Sequence, residues 1–233
     1  MITDDTGTQG KGKFQLELNG QYDSDEENAN GTTTNSTGGQ ASTILSYGIV
    51  DNIDLVFTLP YQWGRTEENS SAIYDEKGFS DTVFEVKWRF FEKSGYSLAL
   101  KPGIRLPTGN DEKGLGAGRV NGQLYLIGSK ELGPWAFHAN LGYIRNENKV
   151  DEQYNIWHAS LATTWEVVKN LKLVANIGIE SNPDENAKDD PAFLICGIIY
   201  SVIPNFDLDC GIKYGLTSSE TDVSLLAGVT FRF

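Results

Sequence analysis

Hydrophobic and polar residues alternate with a period of two along most of this chain. In the last stretch, LLAGVTFRF, Phe231 and Phe233 fall on one face while Thr230 and Arg232 fall on the other. This period indicates β-strands, because successive side chains of a strand point to opposite faces. Helical spacing is not sustained anywhere in the sequence. We therefore predict an all-β fold.

Twelve segments carry the alternation. Their predicted spans are 13–23, 40–50, 53–64, 81–91, 96–106, 118–128, 135–145, 156–167, 171–181, 192–202, 206–215 and 223–233. Each is close to the roughly 9–11 residues that a tilted strand needs to cross a bilayer. We predict a transmembrane antiparallel up-and-down β-barrel of about twelve strands, as one domain over 13–233. Residues 1–12 form an N-terminal tail, which is either flexible or inside the lumen.

The connections between these segments alternate in length. The short ones are VDN at 50–52, EKSG at 92–95, SKELGP at 129–134, VKN at 168–170 and IPN at 203–205. The long ones are polar and acidic: DSDEENANGTTTNSTGG, TEENSSAIYDEKG, PTGNDEKGLGAG, NENKVDEQYN, SNPDENAKDD and LTSSETD. Short periplasmic turns and longer extracellular loops are typical of outer-membrane barrels. An even strand number places both termini on the short-turn side.

The aromatic residues support a membrane location. The predicted lipid-interface aromatics lie on the apolar face near strand ends: Trp63, Trp88, Trp135, Trp157, Trp165 and Phe233. Amphipathic rings favour the headgroup level of a bilayer, so two aromatic belts are expected. The alternative is a soluble β-sandwich with these rings in its core. A sandwich would not place every Trp at a strand end, nor charges so regularly on the opposite face.

Composition excludes several classes of protein. The 233 residues carry a formal net charge of −13, and nothing supplies the basic stripe that a nucleic-acid partner would need. The sequence contains no run of 18 or more apolar residues, so it predicts no transmembrane helix. The chain opens MITDDTGTQG without a basic, apolar signal peptide, and Met1 is its single methionine. We expect a start codon placed on a mature sequence whose signal was removed.

Four stretches carry a family resemblance. They are ITDDTGTQGKGKFQLELNG, YGIVDNIDLVFTLPY, LPTGNDEKGLGAG and GYIRNENK. They resemble the family named for the meta-pathway of phenol degradation, and the resemblance covers nearly the whole chain. It implies a twelve-stranded channel of the Gram-negative outer membrane. The terminal Phe233 likewise resembles the end signature that the barrel assembly machinery reads.

Charged residues are predicted to line the lumen in two walls. The basic wall, from the fourth to the sixth strand, is Lys87, Arg89, Lys101, Arg105 and Arg119. The acidic wall, from the eighth to the eleventh strand, is Glu166, Glu180, Asp207 and Asp209. Such a transverse field would orient dipolar solutes in a narrow passage. The alternative is that these charges pair with each other and fill the lumen.

Catalysis is not predicted. His138, His158, Ser160 and Glu166 all fall on the lumen face. Ser160 and His158 are two residues apart on one strand, about 7 Å along it, which is too far for a nucleophile and its base. Two histidines without cysteine neighbours are a weak metal signal. We expect no enzyme activity, no metal and no cofactor.

Two features leave alternatives open. Cys196 and Cys210 are predicted on the lipid face of the tenth and eleventh strands, close to opposite one another. A disulfide is allowed there, although cross-strand geometry is strained and free apolar thiols are favoured. The loop that begins with LPTGN either folds into the lumen as a gate or stays at the surface.

Together these patterns predict a channel in the bacterial outer membrane for passive diffusion of small solutes, with hydrophobic or aromatic compounds among the candidates. Its expected partners are outer-membrane lipid and lipopolysaccharide, the solute, and the barrel assembly machinery through the last strand. The alternative is a structural or adhesion barrel with a plugged lumen, acting through its extracellular loops. A barrel enzyme acting on lipid is a third hypothesis, which the Ser160 spacing does not support.

Overall fold

The structure is a computed structural model that describes residues 2–29 and 31–233. Over these residues the strands are β1 (Phe14–Ala29), β2 (Thr32–Val50), β3 (Ile53–Glu68), β4 (Ser71–Phe79), β5 (Thr82–Lys93), β6 (Tyr96–Leu106), β7 (Asn121–Leu132), β8 (Trp135–Arg145), β9 (Asn155–Val168), β10 (Leu171–Glu180), β11 (Ala192–Ile203), β12 (Phe206–Gly215) and β13 (Val223–Arg232). Helical structure in the described chain is limited to a 3-10 turn at Asp111–Lys113. Within the same residues, no helix has the length and apolar character needed to cross a membrane.

The strands form one closed antiparallel barrel. From β5 to β13 each strand pairs with the next one in sequence, β13 pairs with β1, β2 joins β1 to β3, and β3 pairs with β5. β4 and β5 share one position in the barrel, because β4 pairs with β3 from Tyr61 to Glu68 and β5 pairs with β3 from Ile53 to Thr58. The chain leaves the sheet between them, at Ser80 and Asp81. The predicted twelve-stranded barrel is therefore confirmed, with its fourth strand in two parts.

Two hairpins extend beyond their predicted ends. The segment between 24 and 39, expected to be a loop, continues the β1–β2 ladder as far as Ala29↔Thr32. The segment between 65 and 80, also expected to be a loop, forms the β3–β4 hairpin around Asn69 and Ser70, whose φ angles are 45° and 68°. These extensions are mostly polar, and Ile73 and Phe79 of β4 are too far apart to form a sustained apolar alternation, so the pattern gave no sign of them.

Apolar side chains cover the outside of the barrel and polar ones its inside. On β9, Trp157 and Leu161 are 63% and 60% exposed, whereas His158 and Ser160 on the other face are 8% and 4% exposed. A closed barrel satisfies its own backbone hydrogen bonds, which is what a lipid environment requires of a spanning structure. The broad apolar outer surface is the one that lipid would cover.

The aromatics predicted at the lipid interface fall into two groups at opposite ends of the barrel. Trp88, Trp135 and Trp165 lie near the short turns, and Trp63 and Trp157 lie near the long loops. Trp135 stacks on Trp165 with ring centroids 5.1 Å apart, and Tyr143 packs against Trp157 at 4.8 Å. Phe233, which is 70% exposed, lies at the short-turn end.

The first and last strands close the barrel. β1 pairs with β13 from Gln15↔Arg232 to Ser24↔Val223, and Phe14 and Phe233 exchange backbone hydrogen bonds of 3.2 and 2.9 Å. The C-terminal stretch therefore leaves no open edge.

The two cysteines lie on the outer face without a bond between them. Cys196 is opposite Ile212, and Cys210 is opposite Ile198, so the thiols are offset along the strands by two residues instead of facing each other. Both are free and exposed.

Candidate functional site

The N-terminal segment, residues 2–12, runs inside the barrel. The sequence allowed either a flexible tail or a segment inside the lumen, and the structure shows the second. The C-terminal end of the segment lies near the short turns, where the Gly12 N–H donates to the Gly48 carbonyl at 2.8 Å. Gly10 and Gly12 have φ angles of 85° and 78°, a conformation that glycine adopts without strain. These glycines let the chain turn back from β1 into the barrel. The Gln9 N–H then donates to the Asp54 carboxylate of β3 at 3.0 Å.

The far end of this segment is held by Asn176, in the middle of β10. The Asn176 side-chain oxygen accepts from the backbone N–H groups of Ile2 at 2.9 Å and Thr3 at 3.0 Å. Its amide nitrogen donates to the Thr3 hydroxyl at 2.7 Å. Asn176 is 1% exposed, and a buried amide needs such partners to offset its loss of water.

Between these anchors, Asp4 binds two lysines. One Asp4 oxygen lies 2.9 Å from the Lys87 ammonium of β5, and the other lies 3.1 Å from the Lys101 ammonium of β6. Lys101 also pairs with Glu85 at 3.0 Å. Burial by itself would raise the pKa of the Asp4 carboxyl, but the two ammonium charges outweigh it and hold the pKa well below its usual range. Asp4 is therefore ionised at neutral pH.

Further polar contacts fix the segment around Asp4. With its amide oxygen turned toward the Asp4 N–H, Asn140 of β8 accepts from that N–H at 2.9 Å and donates to the Asp4 carbonyl at 2.8 Å. The Thr6 hydroxyl lies 2.5 Å from that of Ser97, and the Thr6 N–H donates to Ser129 at 3.2 Å. The segment thus covers the lumen face of β5 to β8 and β10.

The structure places four of the five predicted basic-wall residues on the lumen face. Lys87, Arg89, Lys101 and Arg105 lie on β5 and β6, and the first and third of them bind the N-terminal segment. Arg89 pairs with Glu92 at 3.2 Å near the short turns. The structure differs from the prediction at Arg119. Strand β7 begins at Asn121 and not at 118, so Arg119 lies in the exposed connection before it.

The four predicted acidic residues do not form one wall. Glu166 lies at the short-turn end of β9, where it accepts from the Asn170 N–H, whereas Glu180 lies at the long-loop end of β10. The predicted spans of the two strands were nearly right. However, β9 and β10 run in opposite directions, so Glu166 and Glu180 lie at opposite ends of the barrel. Asp207 and Asp209 are together on β12, and Asp207 pairs with Arg232 at 2.8 Å.

Much of the charge in the lumen is paired. This is the alternative to two free walls that the sequence left open. Lys87, Lys101 and Arg232 all have acidic partners, and Lys213 pairs with Glu220 at 2.8 Å. The partner that sequence reasoning missed is Asp4. The acidic pair in ITDD, followed by the glycines of GTQGKGK, was the available signal for a charged segment that can turn inward.

A cavity of about 900 Å³ remains between the N-terminal segment and the opposite side of the barrel. Its polar and charged lining includes Gln15, Glu17, Asn19, Gln21, Gln40, Ser42, Asp54, Asp209 and Arg232. Toward β7 to β9 the interior is instead packed: Ile127 is fully buried and the Tyr125 ring meets His158 edge-on at 5.9 Å. The open space therefore lies to one side, along β1 to β3 and β11 to β13.

His158 and Ser160 are closer than their spacing predicts. The Ser160 hydroxyl lies 3.0 Å from His158 Nε2, and Glu180 lies 3.1 Å from His158 Nδ1. The 7 Å estimate was a backbone distance, and the side chains lean together along the strand. The backbone N–H groups of β9 are engaged by pairing on both sides and offer no free donors for an oxyanion. Ser160, His158 and Glu180 form a hydrogen-bonded network on the lumen face.

The long connection that begins at LPTGN is tied to the break between β4 and β5. Asp81, which is 4% exposed, accepts from the N–H groups of Gly109 and Ala117, both at 2.9 Å. A side chain at Gly109 would overlap the Leu115 carbonyl, and one at Gly116 would overlap Asp81. The glycines of GLGAG therefore allow this loop to close around Asp81 at the long-loop end.

A family model matches residues 3–233, and its description is MetA-pathway of phenol degradation. No curated protein matches the chain.

Among solved structures, the COG4313 outer membrane channel from Pseudomonas putida F1 is similar over 100% of both chains, with 19% identity and a TM-score of 0.75. The NanC porin is similar over 93% of this chain and 98% of its own, with 12% identity and a TM-score of 0.61. The beta domain of the Bordetella autotransporter BrkA is similar over 96% of this chain and 100% of its own, with 12% identity and a TM-score of 0.61. At these identities the likeness shows the fold.

Proposed function

We propose that this chain, which belongs to the MetA-pathway of phenol degradation family, is an outer-membrane channel through which small solutes diffuse passively. The observation that carries the proposal is the cavity of about 900 Å³ beside the N-terminal segment, in a barrel whose outer face suits lipid. Outer-membrane lipid would cover that face, and the assembly machinery would meet the strand that ends at Phe233.

The lining of the cavity bears on the class of solute. Amide, hydroxyl and carboxylate groups share it with apolar side chains such as Ile44, Val56 and Ile195, and the polar groups can exchange hydrogen bonds with a solute at little cost. This mixed lining suits small solutes that carry both polar and apolar groups, and it keeps the hydrophobic or aromatic compounds considered from the sequence among the candidates. Similarity to porins, including NanC, supports diffusion over active transport.

Conductance of the refolded protein in a planar bilayer tests the proposal, after a heat-modifiable gel shift has shown folding. Ser42→Trp would place a large ring in the cavity, whereas Ala41→Trp adds the same ring to the lipid face of the same strand. We expect stepwise conductance that falls several-fold in Ser42→Trp and is retained in Ala41→Trp. Equal effects of the two substitutions would argue that current does not pass through this cavity.

A structural barrel with a plugged lumen is the second candidate, and a specific observation favours it. The N-terminal segment is fixed to β3, β5 to β8 and β10 by hydrogen bonds and two lysine pairs. If the folded wild-type protein is silent in the bilayer and also fails to admit small solutes into vesicles, this second function becomes the better one.

A further inference from the structure

We propose that Lys87 and Lys101 form a binding site for the carboxylate of a small solute, and that Asp4 of the same chain occupies this site as an internal competitor. The inference rests on the proposed channel function for its biological meaning, but the binding site itself does not depend on conduction. Asp4 would then stand where the carboxylate of a solute binds, and the N-terminal segment would be a displaceable occupant of the lumen.

The geometry around Asp4 is that of a ligand carboxylate. Its two oxygens each meet a different ammonium group, at 2.9 and 3.1 Å, and the side chains of Lys87 and Lys101 are 10% and 17% exposed. Nearly buried ammonium groups require an anion, because an unpaired charge in such a place is strongly destabilising. The site is therefore built for a carboxylate, whichever chain or molecule provides it.

Lys87 depends on the N-terminal segment for its anion. Within the described residues its ion-pair partners are Asp4 at 2.9 Å and Asp5 at 3.8 Å, both in that segment. Asp54 is a more distant acid, whose oxygens accept from the Gln9 N–H. Lys101 keeps Glu85 if the segment leaves, but Lys87 does not keep a direct partner. Departure of the segment would leave an ammonium facing the lumen.

The segment is attached in a way that permits exchange. Residues 3–9 are TDDTGTQ, without a large apolar side chain, and their contacts with the barrel are hydrogen bonds and ion pairs. Gly10 and Gly12 supply a hinge at the point where the segment leaves β1. A short flexible tether holds its end at an effective concentration on the order of millimolar, so a free carboxylate would compete in that range.

The groups beside the lysines refine the ligand class. Asn140 binds the Asp4 N–H and C=O, the peptide groups on either side of its side chain, and Asn176 accepts from the Thr3 N–H one residue earlier. A solute that copies these contacts carries a carboxylate next to an amide, as N-acyl amino acids and short acidic peptides do. N-acetylaspartate amide is the simplest probe with this pattern, and N-acetylasparagine amide is its neutral match.

Calorimetric titration of the folded full chain in detergent tests the site. We expect Asp4→Asn to bind N-acetylaspartate amide at least tenfold more tightly than the wild type, because the competing carboxylate is gone. Asp5→Asn removes the same charge from a carboxylate that is 51% exposed, and it should stay within about twofold of the wild type. Adding Lys87→Met to Asp4→Asn should abolish binding, and N-acetylasparagine amide should not bind any variant.

Equal affinities of Asp4→Asn and Asp5→Asn would overturn the proposal, as would binding that survives Lys87→Met or accepts the neutral probe. If Asp4→Asn does not fold, Thr3→Val serves instead, since it loses the 2.7 Å contact with Asn176 and should also raise affinity. Binding by a barrel that never conducts would keep the site and reject the channel. Conductance without selective binding in Asp4→Asn and Thr3→Val would keep the channel and reject the site.

Discussion

Thr3 and Asn176 are hydrogen-bonded across the lumen although 173 residues separate them in the chain. The contact fixes the end of the N-terminal segment to the middle of β10. It also gives a hydrogen-bond partner to Asn176, the one side chain of β10 that is both polar and almost fully buried. The end of the segment is thus held by one amide, whereas the lysines, Asn140, Ser97, Ser129 and Asp54 hold the residues that follow.

Replacing that amide should release the segment. In Asn176→Leu the N–H groups of Ile2 and Thr3 lose their acceptor, which costs about 1–3 kcal/mol for each buried group left unpaired. We expect amide hydrogen exchange in residues 2–9 to accelerate by about tenfold or more, while the strands keep their protection. Ala175→Leu, on the lipid face of the same strand, is the control. Unchanged exchange in Asn176→Leu would show that the lysines and the other polar contacts hold the segment without this amide.

Charge reversal at Arg105 should alter ion selectivity. Arg105 lies on the lumen face of β6, whereas Arg119, which the sequence had placed beside it, lies in an exposed connection. Arg105→Glu should move the reversal potential in a salt gradient toward cations, because a pore-lining charge acts on ions at short range. Arg119→Glu has the same charge change and should shift the potential much less. A larger shift from Arg119→Glu would place the selective part of the pore in the loops.

The Asp4 contact should persist at all ordinary pH values. Its pKa is lowered in the folded chain, so the stabilisation is fully present above the unfolded value and is lost only as pH falls through the lower folded value. We expect hydrogen exchange at residues 3–6, after correction for its intrinsic pH dependence, to be constant between about pH 5 and pH 8. A transition within that window would mean that a different group controls the segment, and Asp4→Asn would leave such a transition in place.

The His158 network should be structural. Ser160→Ala leaves His158 Nε2 without its buried partner, so the free energy of unfolding should fall by about 1–3 kcal/mol. Folding titrations into lipid vesicles measure this loss, and an ester substrate assay serves as the parallel test. Ester hydrolysis by the wild type that disappears in Ser160→Ala would instead make the trio catalytic.

Sequence periodicity was sufficient to predict the barrel and to assign most side chains to its outer face or its lumen face. Lipid requires apolar residues on one face of every strand, so Lys87 and Trp88 could be assigned to opposite faces without a structure. The method failed where that requirement ends: the hairpin around Asn69 and Ser70 extends past the apolar outer surface, and Arg119 lies beyond the start of β7.

The contents of the lumen were harder to predict. Period two says that Lys101 points inward, but not that Asp4 will meet it there, since a segment outside the strands has no periodic signal. Likewise, the spacing of His158 and Ser160 fixes their backbone separation and leaves side-chain rotation free, so their 3.0 Å contact was missed.

The stacked tryptophans at the short-turn end should stabilise the barrel as a pair. Trp135 and Trp165 are directly opposite on β8 and β9, with ring centroids 5.1 Å apart and planes 4° from parallel. Aromatic pairs contribute about 0.5–1.5 kcal/mol beyond the area they bury. In a double-mutant cycle of Trp135→Ala and Trp165→Ala, folding titrations into vesicles should give a coupling energy in that range. Trp88→Ala combined with Trp157→Ala, whose rings lie at opposite ends of the barrel, should be additive. Additivity in the stacked pair as well would mean that each ring interacts with lipid alone.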